Sequence, residues 1–144
     1  MYKIEKSILI NRPQQEVFDY LTDPAKSAEW QSGVNSSEWT SDDPPGVGST
    51  RRTSARLLGR KIDTEVEITE WDPPNRVSSK VVSGPVPAEF TQTFEAQGDG
   101  TLLSFTAQAE IGGFFKLAEG LAGRQLEKQM ETNLSTLKLM LEEA

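Results

Sequence analysis

Polar and apolar residues alternate from Tyr2 to Ile10, with Tyr2, Ile4, Ile8 and Ile10 on one side. That is the period of a half-buried strand. The alternation stops at Pro13, which suits a first helical position with Asn11 or Arg12 as cap. Val17, Phe18 and Leu21 then give Pro13–Leu21 an apolar face, and Asp23-Pro24 opens a second short helix ending near Trp30 and Gly33. Period-two patterning returns over Val34–Ser41, Ser49–Leu58, Lys61–Asp72, Arg76–Ser83, Glu89–Ala96 and Thr101–Glu110. Past Gly112-Gly113 the period turns helical. Leu126, Met130, Leu134, Leu137 and Leu141 recur at steps of three and four, and the pattern runs to about Glu143.

Two hairpins can be given a register. With Gly59-Arg60 as a two-residue turn, Leu58 faces Lys61 and Leu57 faces Ile62. Arg56 then lies opposite Asp63 and Arg52 opposite Glu67, both pairs on one face. The other face carries Arg51, Thr53, Ala55 and Leu57 against Ile62, Thr64, Val66 and Ile68. In the second hairpin Gln97-Gly98-Asp99-Gly100 is the loop, and Phe90, Gln92 and Phe94 share a side with Leu103, Phe105, Ala107 and Ala109.

The expected fold is therefore α+β: a seven-stranded curved antiparallel sheet gripping a long C-terminal helix, with two short helices after the first strand. A chain of 144 residues suits one domain over residues 1–144. The sheet needs a cover for its apolar face, and the terminal helix is the long candidate. One helix on a strongly curved sheet leaves a gap between them.

Composition narrows the chemistry. The sequence has no cysteine and no histidine, which removes disulfides, thiolate nucleophiles, zinc fingers and Ser-His-Asp triads. No Asp-x-Asp-x-Asp-Gly loop occurs either, so no metal and no cofactor is expected. A net charge of -7 argues against nucleic acid as a partner. The local basic cluster Arg51, Arg52, Arg56, Arg60 and Lys61 is neutralised by Asp63, Glu65, Glu67, Glu70 and Asp72 folding back beside it. No apolar run reaches the about 18 residues of a membrane-spanning helix, and Met1–Lys6 lacks the apolar block of a secretory leader. The expectation is a cytoplasmic protein without integral membrane contact, a monomer or weak homodimer.

The stretch DPPGVGSTRR, Asp43–Arg52, has the look of a phosphate-cradling loop. A dinucleotide fingerprint needs a third glycine and a following helix, whereas Ser49–Leu58 reads as strand. A turn between strands is the expectation.

The element order, with INRPQQEVFDYLTDPAKSAEW (Ile10–Trp30), GVGSTRR (Gly46–Arg52), EITEWDPPNRV (Glu67–Val77), GDGTLLSF (Gly98–Phe105) and LSTLKLMLE (Leu134–Glu142), resembles the START-like, or Bet v 1-like, helix-grip superfamily. Within it the chain looks most like the bacterial polyketide cyclase/dehydrase and lipid-transport group. The resemblance spans essentially the whole chain. It implies a cavity between sheet and long helix that takes a small apolar or amphipathic molecule, lipid-like, aromatic or polyketide-like. It leaves the activity open, since the fold hosts binders, carriers, aromatase/cyclases and interaction subunits.

The expected cavity residues are Trp39, Arg51, Thr53, Thr64, Val66, Ile68, Phe90, Gln92, Phe94 and Phe105 from the sheet. Phe114, Phe115, Met130 and Leu134 are expected from the helical end, and Trp30 and Ser79 are further candidates. Arg51 has two readings: a rim salt bridge to Glu70, which shares its facing, or an anchor for a ligand carboxylate or phenolate. Gln92 either bonds a cavity group or lies at an exposed strand end. Weak catalytic candidates are Glu70 and Tyr20. Binding or carriage of a small molecule leads. The alternatives are a cyclase-type enzyme in which Arg51 and Glu70 or Gln92 orient an enol or carbonyl, and a protein-interaction module.

Overall fold

A computed structural model of the chain describes residues 2–31, 33–41, 44–57, 60–84, 87–109 and 119–143. Strand β1 (Tyr2–Ile10) leads into helix α1 (Gln14–Thr22), a 3-10 turn (Pro24–Lys26) and the short helix α2 (Ser27–Trp30). Six strands follow: β2 (Val34–Trp39), β3 (Thr50–Leu57), β4 (Arg60–Asp72), β5 (Arg76–Ser83), β6 (Ala88–Gln97) and β7 (Gly100–Ala109). Helix α3 (Glu119–Glu143) closes the order. The strands form one curled antiparallel sheet in the order β1-β7-β6-β5-β4-β3-β2, so the first two strands of the chain are its edges. This is the helix-grip arrangement. No helix among the described residues is long and apolar enough to cross a membrane.

Local rules explain most boundaries. Pro13 stays extended and acts as the N-cap of α1, one position earlier in the helix than expected. Gln14 follows it, and its side-chain amide donates to Asn75 Oδ1 (2.9 Å) and to the Phe94 carbonyl oxygen, which ties the first turn of α1 to β6 and the β4–β5 turn. Asp23 caps the next turn by accepting from the Ala25 amide at 3.0 Å. Gly33 adopts φ 84 where a Cβ would sit 2.6 Å from the Arg56 carbonyl oxygen. Glycine alone lets β2 start that close to β3.

One hairpin is displaced from the expected register and the other is tighter at the turn. In β3–β4, Leu57 pairs with Arg60, Arg56 with Lys61 and Arg52 with Glu65. The pairing is displaced by two from the expected register, and residues 58 and 59, between the strands, lie outside the described residues. A slip of two keeps every side chain on its face, so hydrophobic patterning cannot detect it. The cross-strand charge pairs change with it: Arg56 faces Lys61 rather than Asp63, and Arg52 faces Glu65 rather than Glu67, so opposite-charge pairing did not select the register. In β6–β7, Gln97 and Gly100 pair, leaving Gly98 (φ 58) and Asp99 as the loop.

The core joins the short helices, the sheet and α3. Ile10, Val17, Phe18, Phe94, Leu103 and Leu137 are fully enclosed, and Leu134 and Leu141 pack with them from α3. Burying each such side chain contributes about 1.5–3 kcal/mol relative to exposure. Phe18 meets Phe94 edge-on at 5.1 Å and Trp71 at 5.2 Å, so α1 stoppers one end of the concave face.

A polar clamp holds the end of α3 to the β1–α1 junction. Glu142 accepts from the Asn11 amide (2.9 Å) and from Lys138 (2.7 Å), while Lys138 also donates to the Leu9 carbonyl oxygen (2.6 Å). Arg12 donates to the Glu142 carbonyl oxygen at 2.7 Å. The hydrogen bond from Lys138, and then that from Asn11, holds the Glu142 carboxyl below the usual glutamate range.

Two outcomes are expected. Leu137→Ala should cost about 2–5 kcal/mol in urea unfolding, because Leu137 is fully buried between α3 and the sheet. Glu142→Gln should lower the thermal midpoint at neutral pH. A depressed carboxyl stabilises above its unfolded pKa, and that contribution fades as pH falls through the folded value. The gap between wild type and Glu142→Gln should therefore close in acid.

Candidate ligand-binding site

Inward parity of the strands determines the wall of a cavity of about 270 Å³. Strand β2 contributes Trp39, β3 Arg51 and Thr53, and β4 Thr64, Val66 and Ile68. Phe90 and Gln92 come from β6 and Phe105 from β7, with Gln92 paired between Val77 and Phe105. These nine expected residues meet on one surface. Trp30 and Ser79 join them.

Of the remaining expected residues, the described ones lie elsewhere. Phe94 is 2% exposed in the core, because Phe18 of α1 fills the space above it. Leu134 belongs to that core and Met130 packs against it, so neither lines the cavity. Phe114 and Phe115 lie outside the described residues. The described part of the wall thus comes from the sheet and the short helices, not from α3. Tyr20 has its hydroxyl 3.4 Å from Glu29; burial first, then the Glu29 charge, raises its phenol pKa. It does not line the cavity.

Glu70 is a correction with a clear cause. Ile68 pairs with Ser79, but Glu70 pairs with Ser78, so Thr69 is an extra residue on β4. This bulge reverses the facing of everything after it. Glu70 turns outward, where it accepts from Ser78 Oγ (2.8 Å) and Arg76 Nε (3.1 Å). Those bonds, Ser78 foremost, lower its pKa. The same reversal carries Trp71 inward, onto the cavity wall. Strict alternation of β4 hid Trp71. Leu21, Thr22 and Gln31 depend on how the short helices dock, whereas Val77 was legible as the inward neighbour of Ser79.

Arg51 pairs with Trp39 on one side and Val66 on the other. Its guanidinium carbon sits 6.0 Å from the Trp39 ring centroid. Its Nε is buried without a hydrogen-bond partner, and the side chain forms no ion pair among the described residues. Burial pulls its pKa below the usual arginine range. Desolvating an ion costs several kcal/mol, and a cation–π contact at the outer limit of its range returns only about 0.5–2 kcal/mol of that. The rim salt bridge to Glu70 does not form. Trp30 Nε1 is likewise buried without a partner.

Trp39 and Trp71 meet edge-to-face at 6.4 Å and, with Thr22, border a second, more open groove of about 400 Å³ on their far side. Phe18, Asp19, Pro45 and Pro73 belong to that groove. Pro45 brings in the DPPGVGSTRR stretch, whose described part from Pro44 onward is a turn into β3. Its Gly46 amide donates to Ser49 Oγ (3.0 Å) and its Gly48 amide to the Ile68 carbonyl oxygen (2.9 Å). With both amides engaged, the turn does not present them to a phosphate. Among the described residues no group of His, Cys, Asp or Glu is arranged to hold a metal ion.

With Glu70 on the outer face, Glu70→Gln should leave binding of a naphthalene probe in the cavity unchanged, as read by tryptophan fluorescence. Altered affinity would place Glu70 at the site after all.

Residues 1–142 match the family described as Polyketide cyclase / dehydrase and lipid transport. Comparison with curated proteins yields no match. Among solved structures, TTHA0849 from Thermus thermophilus is similar, with TM-score 0.84, 24% identity and 97% of each chain covered. The Zhui aromatase/cyclase from Streptomyces sp. R1128 aligns with TM-score 0.81 at 14% identity, covering 98% of this chain and 93% of that one. A START superfamily protein from Mycobacterium smegmatis gives TM-score 0.78 at 14% identity over 98% and 97% of the two chains. At these identities the likeness is one of fold.

Proposed function

Since the chain belongs to the polyketide cyclase/dehydrase and lipid transport family, we propose that it binds or carries a small apolar or amphipathic molecule in the cavity on the concave face of its sheet. The supporting observation is the wall itself. Trp30, Trp39, Trp71, Phe90 and Phe105 supply aromatic surface, and a few hydroxyls, two amides and one guanidinium supply orientation. At about 270 Å³ the space falls just below the about 300–1,000 Å³ of sites for drug-sized ligands, which suits one or two fused rings or a short chain.

Binding is favoured over proton-transfer catalysis for a chemical reason. No Asp, Glu, Lys or Tyr stands among the described lining residues, so the wall lacks the usual general acids and bases.

All three tryptophans of the chain stand on the cavity wall, which makes intrinsic fluorescence a direct reporter. Titration with the neutral probe 2-naphthamide should give saturable quenching. Ser79→Phe places a ring in the cavity and should weaken that binding by about tenfold, equivalent to about 1.4 kcal/mol, with the native circular dichroism retained. Quenching that is absent, or indifferent to Ser79→Phe, would move the function away from this cavity. Native mass spectrometry of the purified protein should also show a retained small molecule.

A further inference from the structure

Two buried side-chain polar atoms lack a partner among the described residues: Arg51 Nε and Trp30 Nε1. Both belong to residues on the wall of one cavity, and both are donors that cannot accept. Orphaned donors at one site call for a ligand group that accepts.

The charge distribution points the same way. The chain carries 22 acidic residues against 15 basic ones, yet the single charged residue among the described lining residues is a cation. Its cross-strand neighbours Trp39 and Val66 are apolar. Thr53, next inward on its own strand, shares a hydrogen bond with Ser37 at 3.0 Å. Glu70, the acid that strict alternation would have delivered, is turned to the outer face by the Thr69 bulge and held there by Ser78 and Arg76. Among the described residues Arg51 is thus kept from protein carboxylates, in a chain rich in them.

We propose that the ligand of this cavity is a compact aromatic carboxylate, its carboxylate held by the Arg51 guanidinium and its rings among Trp39, Trp71, Phe90 and Phe105. A carboxylate is acceptor-only and planar, and its two oxygens match the fork of a guanidinium. The aromatic body follows from the four rings around it, and the compactness from the volume. The proposal rests on the small-molecule-binding reading above and names the class of molecule bound.

The test compares 2-naphthoate with its neutral isostere 2-naphthamide in wild type, Arg51→Met and Arg51→Lys, by tryptophan fluorescence titration. Wild type should bind the carboxylate more tightly by about tenfold or more, the scale of a charge-assisted hydrogen bond. Arg51→Met should erase that preference by lowering naphthoate affinity about tenfold more than naphthamide affinity, and Arg51→Lys should restore part of it. Equal affinities in wild type, or equal losses of both probes in Arg51→Met, would overturn the carboxylate while leaving small-molecule binding intact. If neither probe binds wild type, both readings fall together. Should Arg51→Met fail to fold, the wild-type preference and its persistence in Arg51→Lys decide.

Discussion

A curled antiparallel sheet presents a concave apolar face far wider than one helix can cover. The consequences of that geometry organise the molecule. Helix α3 buries Leu134, Leu137 and Leu141 in the core and packs beside β1 and α2. At one end of the concave face α1 drives Phe18 onto Phe94. Between these filled regions the sheet keeps an inward surface that the described helices border but do not fill, and the cavity occupies it. The hollow is a product of how the layers fit, and no single residue creates it.

One inserted residue then sets the character of that hollow. Thr69 has no partner position on β5, and from there on β4 shows its opposite face to the interior. Without the bulge the wall would hold a carboxylate near Arg51 and lack an indole. With it, Trp71 completes an aromatic lining with Trp39, and the acid is engaged outside by Arg76 and Ser78. On the proposed reading, a guanidinium among rings, with no acid beside it on the described wall, makes the cavity electrostatically selective as well as apolar. The Trp39–Trp71 pair, with Thr22, also borders the more open groove beside Pro45 and Pro73, so the two spaces share these three residues.

The polar clamp shows the same economy at the other end of the chain. Lys138 and Glu142 lie one helical turn apart, and both reach backbone groups at the β1–α1 junction that the sheet ladder leaves unpaired. Fastening α3 there holds its buried leucines in the core without a disulfide, in a sequence that has no cysteine.

The linear sequence determined whatever depends on period. Alternation of two and of three to four residues located the strands and helices, and hairpin parity put Arg51, Thr53, Thr64, Val66, Ile68, Phe90, Gln92 and Phe105 on one side. That works because facing repeats locally along an unbroken strand. Whatever depends on a break in the period, or on how one layer meets another, was decided only in three dimensions. The bulge at Thr69 exchanged Glu70 for Trp71, the turn displaced the β3–β4 ladder by two without altering its faces, and the docking of α1 converted Phe94 from wall to core. Each is decided between elements, because the energy that selects it comes from pairing and packing partners rather than from the period of the strand itself.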